Sequence, residues 1–142
     1  MTLVRRLAVV VLALPLAFRE TAAQGTRAST CRASDDTAAV LGSYLATLVT
    51  TTDPVRVSLR ASVGLPAIDS TRIAYVTHTH VCNKLVDAMN ARYQTPGLAR
   101  QLYVYKVGTV YAVQDPAHPT GEYVPTVVFD RRYQYKGSIL AP

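Results

Sequence analysis

His78-Thr79-His80-Val81-Cys82 is the segment of this 142-residue chain whose residue types come nearest to a chemical site. On a continuing strand the two imidazoles and the thiol would project from one face, because side chains alternate. Two ring nitrogens and a thiolate suit zinc or copper. Two features oppose that use. Val81, Leu85, Val86, Met89 and Tyr93 recur at helical spacing, so a helix starts inside the segment and breaks the alternation. Cys82 is also one of only two cysteines and has a second use as half of a disulfide. A metal-binding reading therefore rests on His78 and His80, with His118 as a distant third nitrogen, and no resident cofactor is expected.

Hydrolytic chemistry finds less support. Ser43 stands in Leu41-Gly42-Ser43-Tyr44-Leu45, without the second glycine of a nucleophile elbow and in mid-helix. The seven glycines are dispersed and form no phosphate loop, and Asp35 and Asp36 are explained as helix-start charges. The reading leans away from an enzyme.

Nine tyrosines and no tryptophan are a stronger compositional signal. Tyr103 and Tyr105 are two apart in one expected strand, and Tyr133 and Tyr135 are two apart in another. With Lys106 nearby they predict a sheet face able to hold a glycan or an extended peptide, since tyrosine joins an apolar body to a polar tip. The loop from Asp115 to Gly121, with Pro116 and Pro119, is the other candidate surface.

The first 23 residues bear on location. Arg5 and Arg6 precede an apolar run from Leu7 to Phe18, and Thr21-Ala22-Ala23 supplies small residues for cleavage before Gln24. That order predicts a cleavable export signal over residues 1–23. The run falls short of the ~20 apolar residues needed to span a bilayer, so no stable membrane span is expected after cleavage. The destination would be the periplasm or the exterior, where Cys31 and Cys82 would pair. Net charge is +6, part of which leaves with the signal. The remaining cations are spread out, with Arg131-Arg132 the only adjacent pair, so nucleic-acid binding is not expected.

The elements that must position these residues follow from periodicity. Gln24 to Ala33 is small and polar and reads as a flexible tail tied down at Cys31. Residues 34–142 then read as a single α+β domain. Ser34 is the expected cap of a helix carrying Leu41, Tyr44, Leu45 and Leu48, with Val40 and Val49 widening the stripe. Asp53-Pro54 opens a short helix whose face would be Val55, Leu59 and Val63. Arg72 to Thr77 reads as a strand, and a helix capped by Thr79 follows. Gly108-Thr109 marks a hairpin between Leu102–Val107 and Val110–Val113. Asp130-Arg131-Arg132 marks another, between Tyr123–Phe129 and Tyr133–Leu140. The predicted architecture is N-terminal helices packed on one face of a C-terminal antiparallel sheet. That sheet is a meander of about four strands plus one earlier strand, and one disulfide staples the whole. The predicted function is an exported, non-enzymatic binding domain for an envelope or extracellular protein or glycan. Metal binding through His78 and His80, or a structural envelope role, is the alternative.

Overall fold

The computed structural model describes residues 29–141; the expected export signal and residues 24–28 of the expected tail lie outside them. In chain order the elements are β1 (Thr30–Cys31), α1 (Asp36–Thr50), α2 (Pro54–Ser62), a 3-10 turn (Ser70–Arg72) and β2 (Ile73–Tyr75). They continue as α3 (Thr79–Tyr93), β3 (Gln101–Val107), β4 (Val110–Gln114), β5 (Val124–Phe129) and β6 (Tyr135–Ala141).

Helix α1 starts one residue later than expected. Asp35, not Ser34, is the cap: its Oδ1 accepts from the amides of Thr37 at 3.0 Å and Ala38 at 3.1 Å. A carboxylate takes the cap because it also answers the positive end of the helix dipole. Ala38, Leu41, Leu45, Leu48 and Val49 are buried, whereas Val40 faces solvent. Helix α2 is present with Asp53 as cap, but only the end of its expected apolar face is buried: Val63 joins the core, whereas Leu59 and Val55 are exposed. Val55 is 76% exposed, and the buried residue of α2 is Arg60. Arg60 turns back to α1 and donates from one guanidinium nitrogen to the carbonyls of Leu48, Val49 and Thr51, at 3.1, 3.2 and 3.3 Å. These are the orphan acceptors at a helix C-terminus, where a cation is favoured. At α3 the cap position is His78, with no side-chain cap bond, and Thr79 is the first helical residue.

The sheet contains the expected meander, β3-β4-β5-β6, all antiparallel. Gly108, at φ 61°, takes the first corner of the β3–β4 turn, a backbone position open to glycine. Two short strands share the outer edge of β3 end to end. β2 lies antiparallel along Tyr105 to Val107, and β1 lies parallel along Gln101 and Leu102. The sheet is therefore six-stranded and mixed. Residues 30 and 31, expected in a tail, are part of it. Pro125 pairs with Leu140 of β6 and lies beyond the β4–β5 ladder, which ends at Val127, so its missing amide breaks no inner bond.

Helices cover both faces, not one. Tyr103, Tyr105, Val107, Ala112, Val128 and Ile139 pack against α1 and the end of α2. Leu102, Val104, Tyr111, Val113, Val127 and Phe129 pack against Leu85, Val86 and Met89 of α3. Burial on both sides is why β3 reads as an unbroken apolar run from Leu102 to Tyr105 and not as an alternating one. The disulfide joins Cys31 of β1 to Cys82 of α3 with a Cα–Cα distance of 5.6 Å. It fastens the edge of the sheet to the helix on one face.

Gly42 explains how α1 sits so close to the sheet. A methyl group built there would lie 2.7 Å from the Tyr105 hydroxyl oxygen, which donates to the Ala38 carbonyl at 2.7 Å. The phenol tip occupies the space of the absent side chain. Gly42→Ala gains helix propensity of about 1 kcal/mol. Overpacking nonetheless carries a penalty of roughly 1–3 kcal/mol, so net destabilisation is expected. A lower urea midpoint in Gly42→Ala, partly restored when Tyr105→Phe is added, is the measured signature.

Candidate functional site

Where β3 begins and β4 ends, the antiparallel register that pairs Tyr103 with Gln114 brings Arg100 and Asp115 side by side. Their side chains are 2% and 3% exposed, and an Arg100 guanidinium nitrogen lies 2.9 Å from Asp115 Oδ2. Two neighbours meet the other Arg100 donors. Asn90 Oδ1, from α3, accepts from Nε at 2.7 Å, and Thr95 Oγ1 accepts at 3.1 Å. The Asn90 amide donates to the Leu98 carbonyl at 2.9 Å. No buried side-chain polar atom among the described residues lacks a partner. A buried charge survives only when satisfied in this way.

Asp115-Pro116-Ala117-His118 is a β-turn, closed by the His118 amide on the Asp115 carbonyl at 3.1 Å. Proline at its second position pre-sets the backbone. Asp115 Oδ1 accepts from the Ala117 amide at 3.1 Å. The turn folds the imidazole back so that His118 Nδ1 lies 2.7 Å from Asp115 Oδ2. That oxygen already receives Arg100, so it belongs to an ionised carboxylate and His118 Nδ1 is the donor. Nε2 is left as the outward nitrogen of a ring that is 46% exposed. His118 and Arg100 line two clefts. One, of about 240 Å³, also has Arg32, Gln101 and Asp115 in its wall; the other, of about 250 Å³, has Tyr93, Leu98, Pro119 and Thr120.

The residues singled out from sequence fall in several places. Tyr103 is 1% exposed and, with Tyr105, lies under α1 in the core, because β3 is covered on both faces. Lys106 is exposed, but on the opposite face of the strand, paired with Tyr111. Tyr133 is not in a strand. It takes a left-handed conformation, φ 62°, in the turn made by Asp130, and its ring stacks on Tyr111 at 5.7 Å. Tyr135 opens β6 with the Arg92 guanidinium 4.3 Å over its ring. These five residues do not share one surface. His78 and His80 are both exposed at the start of α3, and Cys82 is committed to the disulfide. Among the described residues no group of three or more His, Cys, Asp or Glu side chains could hold a metal ion. The Asp115–Gly121 loop does line both clefts, whereas Arg100 and Asn90 were not singled out. Their convergence depends on a register that spacing does not reveal.

The buried phenols are held as donors. Burial, then the neighbouring Tyr103 and Tyr105 oxygens, push Tyr75 up to about 12. Tyr103 is raised by burial and by its bond to Asp35, whose Oδ2 it reaches at 2.5 Å. In return the Tyr103 hydroxyl, then the Ala38 amide, hold the Asp35 carboxyl below the ordinary 3.8. A carboxyl depressed in the fold stabilises it above the unfolded value and loses that contribution as pH falls through the folded value. The wild-type urea midpoint should therefore drop on acidification below about pH 4, and Asp35→Asn should flatten that drop. Equal slopes in the two proteins would show that the bond carries no linkage. Asp69 and Asp130, also lowered by backbone amides, act with the same sign.

The architecture is thus an α+β sandwich with a polar network at one end of its sheet. Compared with family models, with curated proteins and with solved structures, this chain matches none.

Proposed function

We propose that this is an exported, non-enzymatic binding domain whose ligand site is the groove on either side of His118. The observation that carries the reading is a half-exposed imidazole anchored through Nδ1 to a buried carboxylate, with clefts of about 240 and 250 Å³ flanking it. Each is a little under the ~300 Å³ at which small-ligand sites begin, and the two share His118 and Arg100. Arg100 favours binding over proton transfer. In a base dyad the carboxylate compensates an imidazolium that forms during reaction; here Arg100 already compensates Asp115 at 2.9 Å. Asp115 serves to hold the ring in one orientation. Export is supported by the basic and apolar order of residues 1–23 and by the Cys31–Cys82 bond, which suits an oxidising compartment. The partner would present a small group to the groove, whether free or as part of an envelope or extracellular protein or glycan.

Native mass spectrometry of the protein isolated from its own host without reductant tests this reading. The expected mass runs from Gln24, less two hydrogens, with an adduct that His118→Ala loses. A reduced, full-length chain would overturn export. An adduct-free protein that takes up nothing from host extracellular fluid would overturn the groove.

A further inference from the structure

The two clefts differ in chemistry. On the first side the lining holds Arg32, Arg100 and His118 against the single carboxylate of Asp115. Arg100 and Asp115 compensate each other, so the uncommitted charge is that of Arg32, joined by His118 when its ring is protonated. Among the described residues the acid paired with Arg32 is Asp35 at 4.0 Å, with both side chains more than two-fifths exposed, a separation and exposure at which a pair is worth little. Asp35 is also occupied by the Thr37 and Ala38 amides and by the Tyr103 hydroxyl. The Arg32 guanidinium rests 5.0 Å above the Tyr103 ring, and its backbone is fixed on β3 by its amide to the Leu102 carbonyl at 2.8 Å and by the Tyr75 hydroxyl on its own carbonyl. In the second cleft, Tyr93 and Leu98 are exposed apolar side chains, and Pro119 is part of the same lining. His118 and Arg100 line both sides.

We propose that the groove takes a small amphipathic anion, a carboxylate or phosphate head on an apolar body. The head lies against Arg32 and His118, and the body against Tyr93, Leu98 and Pro119. The assignment rests on the groove being the binding site, as argued above. Carboxylate and phosphate oxygens accept only, which suits the donor fork of arginine. With Nδ1 donating to Asp115, His118 Nε2 is an acceptor in the neutral ring and a second donor in the protonated one. Anion binding therefore favours the protonated ring and tightens as pH falls. The groups facing His118 in this balance are Asp115 on its own turn, Arg100 at the start of β3, Arg32 after β1 and the Tyr93 phenol of α3.

Calorimetric titration with octanoate, octyl phosphate, octanol and acetate tests the assignment. Octanoate and octyl phosphate should each bind more tightly than octanol, and octanoate more tightly than acetate. Octanoate should bind more tightly as the pH is lowered, since protonation turns Nε2 into a donor. Arg32→Gln should weaken octanoate about tenfold, as expected for losing one charge-assisted hydrogen bond. His118→Gln should abolish the pH dependence. Both side chains are more than two-fifths exposed and Asp115 keeps Arg100 in either variant, so both should remain folded, which circular dichroism checks. Octanol binding as tightly as octanoate would overturn the anionic head, even if neither variant folded. Octanoate no tighter than acetate would overturn the apolar body. If no probe binds but the host-derived adduct persists, this inference fails and the binding reading stands. If the adduct is absent as well, both fail.

Discussion

Asp115→Ala is expected to lower the unfolding free energy by about 3–5 kcal/mol, the loss typical of a buried ion pair deprived of one partner. Arg100 would keep Asn90 and Thr95 as acceptors but lose the only anionic neighbour within 4 Å that it has among the described residues, in a setting where its side chain is 2% exposed. The 115–118 turn would also lose the carboxylate that holds the Ala117 amide and the His118 ring. Against a total near 5–15 kcal/mol for a domain of this kind, the variant should sit close to unfolding at ambient temperature. Urea denaturation followed by circular dichroism measures the effect. The paired replacement Arg100→Met with Asp115→Leu removes both charges and should be far less damaging, because neither charge is left unpaired. If Asp115→Ala and the paired variant unfold at the same urea concentration, the pair is not desolvated and this account of the network is wrong.

The second large effect belongs to the disulfide. Cys31 and Cys82 are 51 residues apart in sequence, and closing a loop of that length stabilises by about 4 kcal/mol if chain entropy governs. Replacing both cysteines by alanine should remove about that much while leaving no buried polar atom behind. Native β1 spans two residues and has little else to hold it: the bond, a short ladder to Gln101 and Leu102, and the Tyr75 hydroxyl. Equilibrium unfolding of the oxidised wild type and the double-alanine protein gives the difference directly. A loss under about 1 kcal/mol would mean that the reduced unfolded chain is already compact. Asp115→Ala and the cysteine replacements both act at the start of β3, so their effects are expected not to add.

Much of the fold was legible where periodicity and turn chemistry agreed. Gly108-Thr109 placed one hairpin, Asp130 another, and the spacing of Leu41, Leu45 and Leu48 placed α1. Legibility failed where burial came from tertiary partners. Val55 of α2 points outward, and the buried side chain of that short helix is Arg60 on the end of α1, which no amphipathic pattern announces. The tyrosines of β3 fit a half-exposed sheet face equally well by residue type, and only the helix on each face decides that they are core. β1 has two residues and no periodicity at all. For the groove, Pro116, Pro119 and Gly121 make residues 115–121 legible as a loop. Arg100 and Asn90 reach it from elements that spacing alone does not bring together.

β1 also bears on the groove. Arg32, the cationic wall of the groove, is the residue directly after Cys31, so the sulfur bridge to α3 adds to the Leu102 and Tyr75 hydrogen bonds that hold its backbone. Asp115, His118 and Arg100 need no such help, since the β3–β4 hairpin carries them together. With the thiols unpaired, the chain would keep the imidazole and the apolar side but hold the Arg32 backbone by the Leu102 and Tyr75 hydrogen bonds alone. If the groove is the binding site proposed above, its affinity for an anion would rise when Cys31 and Cys82 are oxidised.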